Sequence, residues 1–230
     1  MKDISVGIGT SYKLFFLNES CKRSWTKDFE NVYFFGGEVY DPNLIQIKEA
    51  GEDYNSYFLK QQLGLKYMFE NDPNVKWYSF IGADHIYFKN RLVEKLNNFD
   101  YERDYIIGEL YDHITTTPRK IKIEDVEITL IAGGGGTFIS NSLMKKMYSK
   151  IDEFNTYWKY LYDKRIYGGY PHGDVALCLM AKKYFGIDTT HMDGLHSQHP
   201  TFYLDYPNIK DPLTFHYVKE DMDKIYNQYK

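Results

Sequence analysis

Residues 76–88 have the sequence KWYSFIGADHIYF, in which an apolar run meets a short polar turn. Residues 77–81 are apolar or aromatic apart from one serine, and Gly82 ends the run. Such a run is typical of a central parallel strand, because both faces of that strand are covered. In open α/β sheets, ligands bind outside the carboxyl ends of the strands. Asp84 and His85 follow this strand directly and are therefore predicted to lie where a ligand binds.

Two interpretations of Asp84 and His85 follow from their chemistry. A carboxylate beside an imidazole can bind a divalent cation, and a cation in this place suits a ligand that carries a diphosphate. Alternatively, the two residues form a polar turn in which Asp84 caps the next segment. The two residues alone favour neither interpretation.

The composition limits the kinds of protein that the sequence can encode. Its 230 residues suffice for one large α/β domain with a real core, taken here to span residues 1–230. The net charge of −4 offers no basic field to attract nucleic acid. Cys21 and Cys178 are too few for a disulfide framework or a zinc motif, which fits a reducing compartment. The sequence shows no signal-peptide pattern and no apolar run of about 18 residues, so we expect a soluble chain without a membrane segment, with the cytoplasm favoured.

Strands and helices are predicted to alternate in the first third of the chain. Residues 4–10 and 32–35 are predicted strands that end in glycine-containing turns. Residues 13–25 and 53–70 have apolar side chains at helical spacing. With the strand at 77–81, the order is β-α-β-α-β, which predicts an α/β fold with a mostly parallel central sheet flanked by helices.

The second half of the chain contains a glycine-rich turn. Residues 133–136 are four consecutive glycines that precede a predicted strand. Each glycine costs backbone entropy, so we expect that a ligand lies against this backbone and requires the missing side chains. The alternative is a glycine-rich hairpin loop. Other elements predicted in this half are helices at 91–99, 143–151 and 175–185, a short strand at 105–108, a hairpin at 121–131, and a strand at 212–218 before a terminal helix.

Two polar residues of this half have common structural explanations. Asp174 immediately precedes the helix at 175–185 and is predicted to be its N-cap, a position where aspartate is frequent. His216 lies in the short apolar strand at 212–218, where a lone histidine is usually a satisfied core residue.

Two further segments are rich in one kind of side chain. The segment 191–199 contains three histidines and Asp193, which indicates either a metal site or a polar loop. A metal-dependent hydrolase is not favoured, because these histidines lack an HExxH-like helical spacing. The aromatic segment 154–170, which includes Trp158, Tyr160, Tyr162 and Tyr167, contributes to the core or lines an acceptor groove.

The order of these motifs resembles that of the fringe and core-1 galactosyltransferase group, whose members are inverting glycosyltransferases of GT-A fold. In that group a strand leads into an acidic triplet before Thr-Tyr, as residues 83–87 follow the strand at 77–81 here. The Gly-Gly-Ala-Gly motif of the group resembles residues 133–136, and its terminal Phe-His-Tyr-Val matches residues 215–218. The resemblance covers nearly the whole chain. Further similar positions are Thr10, Arg23, Ser24-Trp25, Asn71-Asp72-Pro73, Gly173-Asp174-Val175 and the segment 195–199.

The resemblance implies a Rossmann-like domain of GT-A type that acts as a glycosyltransferase. A sugar would be transferred from a UDP-sugar donor to a hydroxyl of a glycan, a protein or a small-molecule acceptor. Mn²⁺ or Mg²⁺ would offset the charge that develops on the UDP leaving group. The implied metal ligands are His85 and His216, with Asp84 on the ion or on the ribose. The residues expected to bind the nucleotide-sugar are Thr10, Gly36, Gly37, Asp84, Gly134 and Gly135.

Asp174 is the candidate catalytic residue. An inverting displacement needs a base on the acceptor side, within hydrogen-bond reach of the attacking hydroxyl. The helix start at Asp174 resembles the Asp-Asp-Val or Glu-Asp-Val of the group. A carboxylate that caps a helix is a weaker base because the helix dipole stabilises its charge, so the two roles compete.

The sequence departs from the group in its acidic triplet, which is reduced to Ala83-Asp84-His85. His85 brings no negative charge, so the ion would be held more weakly or selected differently. Members of the group usually carry a membrane anchor and luminal disulfides, and the sequence shows neither. Two alternatives remain: a retaining GT-A glycosyltransferase, which needs no acceptor-side base, and a non-catalytic nucleotide- or sugar-binding relative.

Overall fold

The structure is a computed structural model that describes residues 2–110, 117–166, 172–203 and 211–230. Within these ranges a central sheet is flanked by helices. The strands are β1 (Ile4–Gly9), β2 (Asn31–Gly36), β3 (Leu44–Gln46), β4 (Trp77–Gly82), β5 (Ile86–Tyr87), β6 (Ile106–Gly108), β7 (Lys120–Ile123), β8 (Val126–Thr129), β9 (Thr137–Ser140), β10 (Thr189–His191) and β11 (Thr214–Phe215). The α-helices are α1 (Phe15–Arg23), α2 (Tyr57–Asn71), α3 (Lys89–Leu96), α4 (Asn141–Tyr148), α5 (Ile151–Asp163), α6 (Gly173–Phe185) and α7 (Met222–Tyr229).

The central sheet has seven strands in the order β10-β6-β9-β4-β1-β2-β3. Strand β1 pairs in parallel with β2 and with β4, and the β1–β4 register runs from Ile4 opposite Trp77 to Gly9 opposite Gly82. Strand β9 is antiparallel to both of its neighbours, β4 and β6. The predicted α/β fold with a mostly parallel sheet is thus confirmed. The short strands β3 and β10 were not predicted.

Strand β4 contributes to two hydrophobic clusters, one on each face of the sheet. Tyr78 and Phe80 pack in the cluster that includes buried residues of α2, α4, α5 and α6. Trp77 and Ile81 pack in the cluster that includes buried residues of α1, α3 and α7. Alternate side chains of a strand point to opposite faces, so the sheet is a middle layer covered on both sides.

Helix α2 follows a short 3₁₀ turn that Asp53 caps by accepting a hydrogen bond from the Ser56 amide at 2.9 Å. The predicted helix is confirmed, but its middle differs from the expected apolar stripe. Lys60, Gln61 and Gln62 are buried, whereas the neighbouring leucines of the stripe are half-buried. The polar side chains occupy this position because the helix crosses the carboxyl edge of the sheet, where Lys60 donates a hydrogen bond of 2.8 Å to the Thr10 carbonyl.

Two smaller expectations concern the thiols and the membrane. Cys21 and Cys178 are both buried and free. Burial raises the pKa of the Cys178 thiol to about 12. Among the helices that the structure describes, none has both the length and the apolar character needed to cross a membrane.

Candidate functional site

A cavity of about 380 Å³ opens at the carboxyl edge of the sheet, beyond the ends of β1 and β4. Two larger and more open clefts lie beside Asn71 and beside Lys182. In the described residues, the one group of three side chains placed to hold a metal ion lies in the 380 Å³ cavity. The sequence predicted a ligand at this edge because a parallel sheet presents its carboxyl-end loops there.

The metal candidates Asp84, His85 and His216 converge in this cavity. The Asp84 Oδ1 atom lies 3.2 Å from His85 Nδ1, and Asp84 Oδ2 lies 3.5 Å from His216 Nε2. The ligand atoms of the three side chains all lie within 4.8 Å of one another. The two imidazole rings stack, with 4.2 Å between their centroids. This donor set is the Asp-His-His cluster.

Local pairing of two short strands brings the histidines together. β5 and β11 are antiparallel, with Ile86 opposite Phe215 and Tyr87 opposite Thr214. His85 precedes Ile86 and His216 follows Phe215, so the same register places the two histidines side by side. His216 therefore lies at the end of the short strand and not within it, and its role is not that of a core histidine.

Hydrogen bonds fix which nitrogen of each ring carries the proton. His85 Nδ1 lies 3.0 Å from the Gly82 carbonyl oxygen, and His216 Nδ1 lies 3.2 Å from the Ser197 carbonyl oxygen. A carbonyl oxygen only accepts, so both Nδ1 atoms donate. In a neutral His85 ring Nε2 is then an acceptor, whereas His216 Nε2 faces the Asp84 carboxylate. His85 Nε2 is buried and has no hydrogen-bond partner among the described residues. Carbonyl-oriented imidazoles of this kind are typical of metal ligands.

The charge state of the cluster also suits a cation. Burial raises the pKa of Asp84, but its contacts with His216 and His85 lower it by more, so this pKa lies well below the usual range. Burial lowers the pKa of His85, and the nearby His216 lowers it further. Near neutral pH the cluster thus presents an ionised carboxylate and a neutral imidazole at His85, the protonation states that a metal requires.

One carboxylate oxygen and two imidazole nitrogens can hold a divalent transition metal. Mg²⁺ prefers oxygen ligands in near-ideal octahedral geometry, whereas imidazole nitrogen is accepted by later first-row metals. The expectation of Mn²⁺ or Mg²⁺ therefore stays a prediction.

The glycine-rich turn packs directly against the Asp-His-His cluster. A Cβ atom on Gly134 would lie 2.4 Å from His216 Nδ1 and 2.8 Å from the Ser197 carbonyl oxygen. Gly134 lines the cavity, and Gly135 does not. A Cβ on Gly135 would be crowded by the Glu109 side chain. The absence of a side chain at Gly134 therefore permits close packing against His216, a candidate metal ligand. That a substrate also approaches this backbone stays a prediction.

Asp174 lines the same cavity as the Asp-His-His cluster but is not an N-cap. Helix α6 begins at Gly173 with His172 as its N-cap, which makes Asp174 the second helical residue, so the predicted capping role is wrong. Its Oδ2 accepts a hydrogen bond from the Gly133 amide at 3.2 Å, and its Oδ1 accepts one from the Val175 amide at 2.9 Å. The carboxylate ties the glycine-rich turn to α6 and also lines the cavity.

Thr10, Gly36 and Gly37, which the sequence predicted to bind the nucleotide-sugar, do not line this cavity. They lie in or directly after β1 and β2. The Gly37 amide donates to Glu52 Oε1 at 2.7 Å, and the Tyr12 amide donates to Glu52 Oε2 at 2.6 Å. Glu52 thereby joins the turns that follow β1 and β2. A Cβ on Gly36 would lie 2.6 Å from the Leu44 side chain, and Thr10 is buried with its hydroxyl unpaired among the described residues.

Sequence comparison establishes the family. A sequence model of the family described as Fringe-like matches residues 11–228, nearly the whole chain. The chain belongs to the Fringe-like family. No curated protein matches the sequence.

Solved structures similar to this Fringe-like chain are GT-A glycosyltransferases. The apo form of the glycosyltransferase GlyE from Streptococcus pneumoniae TIGR4 matches 100% of the chain with a TM-score of 0.58 and 13% identity. The chain spans 60% of the GlyE chain. The galactosyltransferase LgtC, solved with donor and acceptor sugar analogs, matches 95% of this chain over 87% of its own, with a TM-score of 0.51 and 12% identity. These likenesses show the GT-A fold that the sequence predicted, and family and fold together are those of a glycosyltransferase.

The histidines of segment 191–199 do not form a second metal cluster within the part of the chain described. His191 Nε2 lies 2.9 Å from Asp193, and His199 Nδ1 lies 2.7 Å from the Thr201 hydroxyl. His196 packs against Tyr203, and burial lowers its pKa to about 4. Of the two interpretations of this segment in the Fringe-like chain, the structure favours the polar loop.

The aromatic segment 154–170 of the Fringe-like chain divides between core and surface. Trp158 is buried in the cluster beneath α2 and α5, whereas Tyr160 and Tyr162 are exposed. Tyr167 lies outside the described residues. Trp158 is therefore a core residue, and no contact of this segment with the cavity is seen in the described part.

Several residues that line the cavity of this Fringe-like chain were not predicted as site residues. Tyr54, Tyr57 and Gln61 come from α2 and the turn before it, and Tyr217 follows His216. The available signal was the run of polar residues at 60–62 inside an otherwise apolar helix. A helix cannot turn three consecutive residues all to solvent when both neighbouring turns pack on the core.

Proposed function

We propose that the protein is a metal-dependent glycosyltransferase that moves a sugar from a UDP-sugar to an acceptor hydroxyl, with inversion at the anomeric carbon. The acceptor is a glycan, a protein or a small molecule. The convergence of Asp84, His85 and His216 at the carboxyl edge of a GT-A sheet supports this proposal most directly. A Mn²⁺ ion bound there would act as a Lewis acid on the diphosphate, which is the leaving group.

The residues of the cavity have separate roles in this proposal. Asp84 supplies the anionic ligand, and the carbonyls of Gly82 and Ser197 hold the two imidazoles in a ligating orientation. Asp174 accepts the proton of the attacking acceptor hydroxyl on a carboxylate oxygen that faces the cavity. Tyr54 and Tyr217 are exposed at the mouth, where an aromatic ring can pack on a sugar face.

Calorimetric titration of UDP tests the donor site. We expect binding in the presence of MnCl₂ and about tenfold weaker or undetectable binding with EDTA, because the diphosphate then lacks its counter-charge. Titration with UMP, which has no diphosphate, is the matched control and should show little dependence on manganese. Equal affinity for UDP with and without manganese would contradict metal dependence, and absence of UDP binding in both conditions would contradict the donor assignment.

Asp174→Asn separates the catalytic role of Asp174 from its structural role. Asparagine keeps one oxygen for an amide hydrogen bond but cannot take up a proton, so we expect transfer to fall by roughly 10² to 10⁴-fold. UDP affinity should stay within about twofold, because Asp174 is not a member of the Asp-His-His cluster. Transfer and UDP binding would be measured on the same preparation.

A small loss of transfer in Asp174→Asn would show that Asp174 only anchors Gly133 and the start of α6. That result would favour a retaining mechanism, which needs no base on the acceptor side. Analysis of the anomeric configuration of the product by NMR would then decide between the two mechanisms.

A further inference from the structure

Glu109 is a buried carboxylate at the end of a strand of the central sheet. It directly follows β6, and among the described aspartates and glutamates only Glu109 and Asp41 are buried. Its Oε2 atom accepts a hydrogen bond of 3.1 Å from the backbone amide of Ser197. Removing a carboxylate from water costs free energy, so the position of Glu109 needs a physical reason.

Ser197 connects Glu109 to the Asp-His-His cluster. Its amide donates to Glu109, and its carbonyl oxygen accepts from His216 Nδ1 at 3.2 Å. The other ring nitrogen of His216, Nε2, lies 3.5 Å from Asp84 Oδ2 and is the one available to a metal. Because Ser197 carries both hydrogen bonds, a movement of its backbone changes the orientation of the imidazole and the position of Nε2.

Two further hydrogen bonds fasten the segment around Ser197 to the chain around β11. The Leu213 amide donates to the Gly194 carbonyl at 2.8 Å, and the His216 amide donates to the Gln198 carbonyl at 3.3 Å. These bonds tie the segment to the strand that precedes His216. The hydrogen bond to Glu109 is different, because it joins the segment to β6 and hence to the central sheet that also contains β4.

The glycine-rich turn packs against both ends of this connection. A Cβ on Gly135 would lie 3.2 Å from Glu109 Oε2. A Cβ on Gly134 would lie 2.8 Å from the Ser197 carbonyl oxygen and 2.4 Å from His216 Nδ1. Close packing on both sides leaves the carboxylate and the carbonyl little room to rearrange, as a fixed orientation of the imidazole requires.

We propose that Glu109 is a positioning residue of the metal site, which holds His216 in a ligating orientation through the Ser197 backbone. The inference rests on the proposed metal-dependent transfer, because it concerns the same Asp-His-His cluster. Residues that orient a metal ligand from behind contribute about 10- to 100-fold to metal affinity. Segment 191–199 thereby has a role in the site, although its histidines form no second metal cluster within the part of the chain described.

Two substitutions of Glu109 separate its hydrogen bond from its bulk. Glu109→Gln keeps an oxygen that can accept from the Ser197 amide, whereas Glu109→Met keeps the length of the side chain and offers only a weak thioether acceptor. Asp41 provides a matched control, because it is also 7% exposed and accepts from the Asn43 amide at 2.9 Å. Asp41 lies outside both the Asp-His-His cluster and the lining of the cavity.

The test measures the affinity of the purified protein for Mn²⁺ by electron paramagnetic resonance, which detects the free ion and needs no turnover. We expect Glu109→Met to bind Mn²⁺ about tenfold more weakly than wild type, and Glu109→Gln and Asp41→Leu to bind it within about threefold of wild type. Urea unfolding gives the stability of each variant. A purely structural role of Glu109 would lower the stability of Glu109→Met and leave its Mn²⁺ affinity unchanged.

Hydrogen exchange in the wild-type protein tests the same connection without a variant. Coupling between two sites is reciprocal, so a metal that binds His216 should in turn stabilise the hydrogen bond between Ser197 and Glu109. We expect MnCl₂ to slow amide exchange in residues 194–199, measured by mass spectrometry. This measurement decides the inference even if Glu109→Met does not fold.

Four results would overturn the inference. They are wild-type Mn²⁺ affinity in folded Glu109→Met, an equal loss in Asp41→Leu, a loss in Glu109→Gln as large as in Glu109→Met, and exchange in residues 194–199 that does not respond to MnCl₂. A wild-type protein that binds no Mn²⁺ contradicts both the inference and the metal dependence. One that binds Mn²⁺ as expected but transfers no sugar contradicts the enzymatic function alone.

Discussion

Asp84→Asn is expected to lower the rate of sugar transfer roughly a thousandfold at fixed MnCl₂. Asp84 is the anionic member of the Asp-His-His cluster, and its two oxygens face His85 and His216 at 3.2 and 3.5 Å. Asparagine removes the negative charge and keeps the size of the side chain. A loss of several kcal/mol of charge stabilisation at the leaving group corresponds to about 10³ in rate.

The loss should be a loss of metal affinity and not of folding. We expect the manganese concentration that gives half-maximal activity to rise at least tenfold in Asp84→Asn, with an unchanged circular dichroism spectrum. A control charge removal is Asp72→Asn at the opposite edge of the sheet, where Asp72 Oδ2 accepts hydrogen bonds from Ser5 and Tyr33. Activity of Asp72→Asn should equal that of wild type.

An Asp84→Asn variant with wild-type activity and wild-type manganese dependence would remove the Asp-His-His cluster from the mechanism. In that case the pairing of two histidines and a carboxylate would be a structural feature of the β5–β11 junction. The family and the fold would be unaffected, because they rest on the match to residues 11–228 and on the sheet topology.

The sequence predicted the frame of the fold from local patterns. The strand at 77–81 was found from its apolar run and terminal glycine, and the strand-helix alternation implied parallel neighbours. The short strand β5 carried no local signal, because two residues have no periodicity. Its pairing with β11 joins positions more than one hundred residues apart along the chain, and only that register shows why His85 and His216 meet.

The candidate site was predicted in part and for a physical reason. Asp84 and His85 were singled out because they follow the end of a predicted strand, and His216 was proposed as a ligand only through the resemblance to a family. Gln61 was not found, because helical periodicity ranks positions by apolar character and gives a buried amide no weight. The assignment of Asp174 as an N-cap failed because α6 begins two residues earlier than predicted, at Gly173 and not at Val175.

Gly136→Ala is expected to destabilise the protein by about 4 kcal/mol. Gly136 has φ +88° and ψ 155°, a region that is nearly restricted to glycine and costs an alanine roughly 1–3 kcal/mol. The added Cβ would also lie 2.3 Å from Tyr87 Oη, and relief of such overpacking costs roughly 1–3 kcal/mol. Tyr87 is fully buried and its hydroxyl is hydrogen-bonded to Ser79 at 2.8 Å, so the ring has little room to move. Urea unfolding would measure the change as a lower midpoint at constant slope.

Gly186→Ala is the control that separates backbone strain from steric overlap. Gly186 also has a positive φ, +70°, as the C-cap of α6, but a Cβ there meets nothing within 4 Å. We expect a loss of only about 1 kcal/mol, which is the backbone contribution alone. Equal losses in the two variants would show that Tyr87 moves aside. The glycine-rich turn would then accommodate a side chain at position 136, and the close packing of Gly134 on His216 would need a test of its own.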